Sequence, residues 1–205
     1  MAKNSKSAVP LPAGPETRVN RKSRVFIVDD HTMFREGLRQ LIDHEPDLVV
    51  CGDAADSTQA LEDIRKTSPD VVLVDISLSG ASGIDLTRSI KQEHEDLLVL
   101  VVSMHDEVIY AERALRAGAM GYVMKHEPIK NVIAAIHKVL NGGMYLSERM
   151  TVSIISKFMR GQSPAQPASA VELLSDRELE VFRMLGHGNG VRQIAAVTGR
   201  LLRNQ

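Results

Sequence analysis

The stretch that decides the fold is Val71–Asp75, VVLVD, a run of aliphatic residues that ends at an acid. A continuously apolar run of this length is typical of a strand buried on both faces of a parallel sheet. Four similar runs lie along the chain: Arg24–Val28, Leu48–Cys51, Leu97–Val102 and Gly121–Met124. Apolar residues at helical spacing follow each of the five runs. This alternation predicts an α/β fold with a five-stranded, parallel, doubly wound sheet.

Composition divides the chain further. Residues 1–23 hold three of the eight prolines and are predicted to form a disordered tail. The α/β domain is expected to span residues 24–143, and a connecting helix to span residues 144–160. Residues 161–170, GQSPAQPASA, carry no charge and are predicted to form a linker. The remaining residues, 171–205, are predicted to be all-α.

Charge and cysteine content exclude several classes of protein. The net charge of −1 combines +5 in residues 1–24, −9 in residues 25–143 and +3 in residues 144–205. The α/β domain is therefore acidic and has no strong nucleic-acid footprint. The single cysteine, Cys51, excludes an intramolecular disulfide and favours a reducing, cytoplasmic location. No apolar run approaches the ~20 residues that cross a bilayer.

Polar residues follow four of the five predicted strands. In a doubly wound sheet the functional groups lie beyond the carboxyl ends of the strands. There the chain places Asp29, Asp30, Asp75, Ser103 and Lys125. Carboxylates are the ligands that Mg²⁺ prefers, and a carboxylate can attack phosphorus to form an aspartyl phosphate. A lysine and a hydroxyl suit the phosphoryl oxygens, so the set predicts a Mg²⁺-dependent phosphoryl site.

Each of these residues also has a simpler interpretation. Asp29 and Asp30 could simply be helix caps with no further role, and so could Ser103. Asp75 could be a loop acid, and Lys125 could be solvated. The functional interpretation rests on their conjunction, since each stands at the appropriate strand end.

Three of the seven histidines stand beside this predicted site: His31, His105 and His126. None forms a close metal-binding pair with another histidine. We expect them to be solvated residues at its rim, with an effect of pH on dephosphorylation as the alternative.

The sequence resembles the receiver domain of bacterial two-component response regulators, of the NarL/FixJ or LuxR-type subfamily. The motifs that carry the resemblance are VFIVDDH, PDVVLVDISLSGASGIDL, VLVVSMHDE, ALRAGAMGYVMK and VIAAIHKVLNGGMYLS. They run from Arg24 to Tyr145. The likeness resumes over Leu173–Ala195, LLSDRELEVFRMLGHGNGVRQIA, which is similar to the start of that subfamily's DNA-binding helix-turn-helix. The resemblance to the receiver domain implies a flavodoxin-like receiver fold for residues 24–143.

The resemblance implies a chemical role for the acids. Asp75 would be the phosphoacceptor. Asp29 and Asp30 would be the acidic pair that, with Asp75 and the main-chain carbonyl of Ser77, holds Mg²⁺.

It also implies a switch. Ser103 matches the family's hydroxyl switch, Tyr122 its aromatic switch and Lys125 its lysine. His126 stands where many receivers have a proline.

The C-terminal segment follows the subfamily only in part. Ser175 and Glu178 form a capping box that begins one helix, and Val191–Val197 predict a second. No recognition helix can be found after them. We therefore interpret residues 171–205 as an incomplete helix-turn-helix, truncated or frameshifted, and expect poor DNA binding.

These expectations combine into one leading function. The chain would accept a phosphoryl group from a sensor histidine kinase, form a phosphorylation-dependent homodimer and regulate transcription through DNA. The first alternative is a receiver-only signalling module without DNA binding. The second is a phosphatase with an aspartyl nucleophile, but such enzymes want an acid where Ser77 stands, so we predict that the chain is not an enzyme.

Overall fold

A computed structural model describes residues 21–78, 81–159, 174–186 and 188–194. Most of the predicted tail, the whole predicted linker and residues 195–205 lie outside the described residues.

Strands and helices alternate along the described chain. The strands are β1 (Ser23–Val28), β2 (Leu48–Ala54), β3 (Val71–Val74), β4 (Ser77–Leu78), β5 (Ala81–Ser82), β6 (Leu98–Ser103) and β7 (Gly121–Met124). The helices are α1 (Thr32–His44), α2 (Ser57–Thr67), α3 (Gly83–Glu93), α4 (Glu107–Arg116), α5 (Lys130–Leu140), α6 (Glu148–Met159) and α7 (Asp176–Gly186). The five predicted strands are all present, each within a few residues of its expected bounds.

The five long strands form one parallel sheet in the order β2-β1-β3-β6-β7. Helices α1 and α5 cover one face, where they bury residues such as Leu38 and Ile136. Helices α2 and α3 cover the other face with residues such as Ile64 and Ile90. The predicted doubly wound α/β fold is confirmed, and its crossovers bring the carboxyl ends of β1, β3, β6 and β7 to one edge.

A small antiparallel hairpin, β4 with β5, was not expected from the sequence. Each of its strands has only two residues, too few to show a hydrophobic period. The hairpin returns the chain so that Gly83, the first residue of α3, lies against the end of β3. A Cβ on Gly83 would stand 1.8 Å from the main-chain oxygen of Asp75, so only glycine fits there.

Helices α6 and α7 join a third buried cluster beside α4. Met150 of α6 and Leu179 of α7 are buried there with Tyr110 of α4. The expected capping box begins α7: the main-chain N–H of Glu178 donates to Ser175 Oγ at 3.3 Å, and that of Ser175 donates to Glu178 Oε2 at 2.8 Å. Among the described helices, none combines the length and apolar character that crossing a bilayer requires.

Candidate phosphoryl and metal site

An ammonium group links two of the strand-end acids. Asp29 follows β1, Asp75 follows β3 and Lys125 follows β7. The Nζ atom of Lys125 lies 2.6 Å from Asp29 Oδ2 and 2.7 Å from Asp75 Oδ2. The three predicted residues therefore meet at one point on the edge of the sheet.

These groups are buried. Asp29 is 2% exposed and Asp75 is 3% exposed. Burial raises the pKa of the Asp75 carboxyl, while the charge and hydrogen bond of Lys125 oppose that rise. Asp75 Oδ1 is also buried and has no hydrogen-bond partner among the described residues. A buried carboxylate oxygen without a partner is costly, so this atom is available to a ligand or a reactant.

Lys125 is held in place by its surroundings. Its main-chain N–H donates to the main-chain oxygen of Ser103 at 2.8 Å, which ties the end of β7 to that of β6. Its ammonium lies 4.6 Å from the centre of the Phe34 ring, a cation–π contact with α1. The lysine is therefore positioned by two elements besides its own strand, and it is not solvated.

Asp30 and His31 lie beside Asp29 and Asp75 at this edge of the sheet. His31 is the N-cap residue of α1, so neither Asp29 nor Asp30 occupies that position. His31 Nδ1 lies 2.7 Å from Asp30 Oδ1, 3.3 Å from Asp29 Oδ1 and 4.0 Å from Asp75 Oδ2. The ring is largely exposed, as expected for a rim residue, but its nitrogen faces the carboxylates, which the sequence did not reveal.

The residues fit a divalent cation. Asp29, Asp30, His31 and Asp75 offer ligand atoms that all lie within 4.8 Å of one another. Lys125 pairs with two of these three carboxylates, so a second cation would relieve the repulsion among them. Carboxylate oxygens such as those of Asp75 are ligands of the kind that Mg²⁺ prefers.

The predicted switch residues meet at the backbone of His105. Ser103, which is fully buried, accepts the main-chain N–H of His105 on its Oγ at 3.2 Å. The hydroxyl of Tyr122 donates to the main-chain oxygen of His105 at 2.8 Å. Burial raises the pKa of Tyr122, so this hydroxyl stays protonated and remains a donor.

The ring of His105 makes two further contacts. Its Nε2 lies 2.6 Å from Ser77 Oγ, and the ring stacks on Tyr110 with their centres 4.7 Å apart. The expectation of a solvated rim residue is therefore wrong for His105, because its ring is held between the loop after Asp75 and helix α4. For His126, which is exposed, the expectation is confirmed.

One acid at the same edge serves the structure. Asp53, the residue before the last of β2, forms ion pairs with Arg35 and Arg39 of α1. Arg35 also donates to the main-chain oxygen of Asp29 at 2.6 Å. These bonds fix α1 against the sheet and so position the acidic pair.

Residues 25–137 match the family model of the response regulator receiver domain. The chain belongs to the response regulators. It is 32% identical to the transcriptional regulatory protein DegU of Brevibacillus brevis, over 84% of this chain and 78% of that protein. It is also 32% identical to the oxygen regulatory protein NreC of Staphylococcus carnosus (strain TM300), over 84% of this chain and 81% of that protein.

A solved structure gives the same result. The LuxR-family two-component response regulator from Aurantimonas sp. SI85-9A1 aligns with a TM-score of 0.63 and 36% identity. The alignment covers 67% of this chain and 99% of that chain. The resemblance to LuxR-type response regulators is confirmed, and the described residues contain a response regulator's receiver domain.

Proposed function

We propose that this response regulator accepts a phosphoryl group from a sensor histidine kinase on Asp75, with Mg²⁺, and thereby regulates transcription. The observation that carries the proposal is the environment of Asp75. One of its carboxylate oxygens is held by Lys125 at 2.7 Å, while the other is buried and unpartnered. A nucleophile needs one free oxygen, and the lysine fixes where that oxygen points.

The transfer follows from these groups. Asp75 Oδ1 attacks phosphorus with a lone pair, and the bond between phosphorus and the donor's nitrogen breaks with its electron pair leaving on nitrogen. Lys125 neutralises charge on the incoming phosphoryl oxygens. Asp29, Asp30 and Asp75, with the main-chain carbonyl of Ser77, would hold Mg²⁺, which supplies further charge neutralisation. Ser103 offers its hydroxyl as a donor to a phosphoryl oxygen.

The test is phosphorylation of the full chain by acetyl phosphate with Mg²⁺, followed by intact mass spectrometry. We expect wild type to gain the mass of one phosphoryl group and to lose it in hydroxylamine, as an acyl phosphate does. Asp75→Asn keeps the shape, removes the nucleophile and gains nothing. Asp47→Asn, at an exposed acid on the opposite edge of the sheet, is the matched control and is phosphorylated like wild type. A hydroxylamine-labile phosphate on Asp75→Asn would overturn the assignment.

The sensor histidine kinase is the proposed physiological donor. Supporting this, apolar side chains flank the site in exposed positions: Met33 is 90% exposed and Met104 is 61% exposed. Two exposed methionines at the mouth of a polar site suit contact with another protein. We expect Met33→Ser to slow transfer from a phosphorylated kinase and to leave transfer from acetyl phosphate unchanged.

The proposed output is transcriptional, by analogy with relatives such as the transcriptional regulatory protein DegU. The alternative, a receiver-only module, is favoured by the burial of Leu179, because α7 is thereby engaged with the receiver. A fluorescence assay with genomic fragments at physiological salt separates them. Specific binding that increases with phosphorylation supports the first, and no binding in either state supports the second.

We also propose that phosphorylation promotes self-association through a two-fold interface, the commonest symmetry of soluble oligomers. Val108 and Ile109 in the first turn of α4 support this, since they are 50% and 40% exposed and follow His105 by three and four residues. Sedimentation with and without beryllofluoride tests it. A mass that stays monomeric across a wide concentration range in both states would contradict it.

A further inference from the structure

We propose that His31 is a nitrogen ligand of this cation site, and that it makes the site prefer first-row transition ions to Mg²⁺. The inference rests on the metal part of the proposed function and adds to it the class of ion. It begins with the carboxylate oxygens that Lys125 leaves available. The ammonium takes Oδ2 of Asp29 and Oδ2 of Asp75.

Two carboxylate oxygens that Lys125 does not hold face the histidine ring. Asp29 Oδ1 and Asp30 Oδ1 lie 3.3 Å and 2.7 Å from His31 Nδ1. Asp75 belongs to the same cluster, and its Oδ2 lies 4.0 Å from His31 Nδ1. Oxygens of three carboxylates and one imidazole nitrogen are therefore grouped around one point.

Their spacing is that of ligands around one ion. Six ligands at about 2.1 Å from an ion lie roughly 3 Å from their neighbours and about 4.2 Å from the opposite ligand. The Nδ1 atom of His31 lies between 2.7 and 4.0 Å from oxygens of the three acids. One ion can therefore be within bonding distance of His31 and of the carboxylates without a large movement of any of them.

The backbone already positions His31 for this role. Its main-chain N–H donates to Asp29 Oδ1 at 2.9 Å, so the residue is anchored to one of the acids. Its side chain makes no helix-capping hydrogen bond, although it stands at the N-cap of α1. Capping therefore does not account for the direction of its ring.

The donor set decides the preference. Mg²⁺ selects oxygen ligands and keeps several waters, so an imidazole adds little to its affinity. Imidazole suits first-row transition ions, whose affinity for nitrogen and oxygen donors rises from Mn²⁺ through Co²⁺ to Ni²⁺. A site with His31 should consequently bind Co²⁺ much more tightly than Mg²⁺, and a site without it should discriminate less.

Pulsed electron paramagnetic resonance of the full chain loaded with Mn²⁺ tests the ligand directly. A histidine nitrogen bound to Mn²⁺ gives a ¹⁴N modulation, whereas carboxylates and water do not. We expect this signal in wild type and in the matched control His126→Ala, since His126 is an exposed histidine beside the site. We expect it to disappear in His31→Ala and in His31→Asn, the second of which keeps a favourable N-cap residue should alanine disturb α1.

Calorimetric titration gives the preference. Losing a ligand should weaken Co²⁺ binding by at least the ~10–100-fold that loss of an outer partner of a metal ligand costs. Mg²⁺ affinity should change far less, so the ratio of the two dissociation constants is the readout.

The outcomes separate this inference from the proposed function. If metal binds and responds to Asp30→Ala, but ¹⁴N modulation is absent from wild type or persists in both His31 variants, the inference is overturned and the proposed function stands. An unchanged ratio of Co²⁺ to Mg²⁺ affinity in both His31 variants overturns it as well. If Asp30→Ala and Asp75→Asn leave metal affinity unchanged, the metal part of the proposed function fails, and this inference fails with it.

Discussion

The two edges of the sheet carry similar residues and differ in what surrounds them. At the carboxyl edge, three acids and a histidine offer clustered ligand atoms: Asp29, Asp30, His31 and Asp75. At the amino edge, two acids and a histidine also offer clustered ligand atoms: Glu45, Asp47 and His137. At the carboxyl edge Asp29 and Asp75 are at most 3% exposed, whereas the Asp47 side chain at the other edge is 62% exposed.

The remaining acids of the amino edge confirm the contrast. They line an open groove of about 670 Å³, together with apolar residues such as Leu97. Two of these acids are paired with arginines: Asp70 with Arg21, and Glu93 with Arg65. Both arginine side chains are more than half exposed, and ion pairs at such surface positions contribute little to stability. Burial and an unpartnered oxygen, and not the number of acids, therefore distinguish the proposed phosphoryl site from an acidic surface.

The largest expected effect compares a glycine from each edge. Gly83→Ala would place a Cβ 1.8 Å from the main-chain oxygen of Asp75, so the backbone of the site must move. We expect a loss of about 3 kcal/mol in the free energy of unfolding, the upper end of the cost of overpacking. Gly142 at the amino edge has open space around it and a φ of +79°, so Gly142→Ala costs only about 1 kcal/mol.

Denaturant titrations of the two glycine variants measure this difference. Phosphorylation by acetyl phosphate should also slow in Gly83→Ala and stay at the wild-type rate in Gly142→Ala. Equal stability losses would show that the approach of α3 to Asp75 is easily relieved.

The next effect is on metal affinity. Asp30→Ala removes a carboxylate from the carboxyl edge, and we expect Mg²⁺ binding to weaken by about 10–100-fold, which is typical when a metal site loses a supporting group. Asp47→Ala removes one from the cluster that His137 shares at the amino edge. Because the Asp47 side chain is 62% exposed, its loss should leave the calorimetric titration unchanged.

Should Asp47→Ala weaken Mg²⁺ binding as much as Asp30→Ala, burial would not be what selects the site. The comparison between the two edges would then fail, although the fold would be unaffected.

The sequence predicted the strands and the strand-end residues for a physical reason. Parallel strands joined by helices must align their carboxyl ends, so the convergence of Asp29, Asp75 and Lys125 follows from topology alone. Continuous apolar runs made the strands recognisable, because they are buried on both faces.

Other parts of the site depend on contacts that no local pattern encodes. The role of Gly83 arises from the hairpin that returns the chain to Asp75, and two-residue strands have no period. The ring positions of His31 and His105 depend on side-chain rotation and on neighbours distant in sequence. A polar residue next to a strand end is the one signal that could have suggested them, and His126 carries the same signal without the same contacts.

The smallest expected effect is on thermal stability, and it has opposite signs at the two edges of the sheet. Burial raises the pKa of Asp75 above its ordinary value of 3.8, so the folded chain holds this proton to a higher pH than the unfolded chain does. Stability therefore falls as pH rises from 3.8 through the folded pKa, and the ionised carboxylate destabilises the metal-free protein at neutral pH. Removing the charge in Asp75→Asn should raise the melting temperature by about 2–4 °C, which for a chain of this size corresponds to ~1 kcal/mol.

Asp70→Asn, at the amino edge, should instead lower the melting temperature. The Asp70 carboxylate accepts the main-chain N–H of Arg24 at 2.7 Å and pairs with Arg21 at 2.6 Å, so losing its charge weakens both contacts. Because Arg21 is exposed, the loss is small, about 0.5–1 kcal/mol.

Thermal unfolding in chelator from pH 3 to pH 8 measures both variants. The gain in Asp75→Asn should be full at neutral pH and vanish as the pH falls below 3.8, where the carboxyl is protonated in both states. A gain independent of pH would mean that it comes from packing and not from the buried charge. Adding Mg²⁺ at neutral pH should then stabilise wild type more than Asp75→Asn, because only wild type offers the ion a third carboxylate.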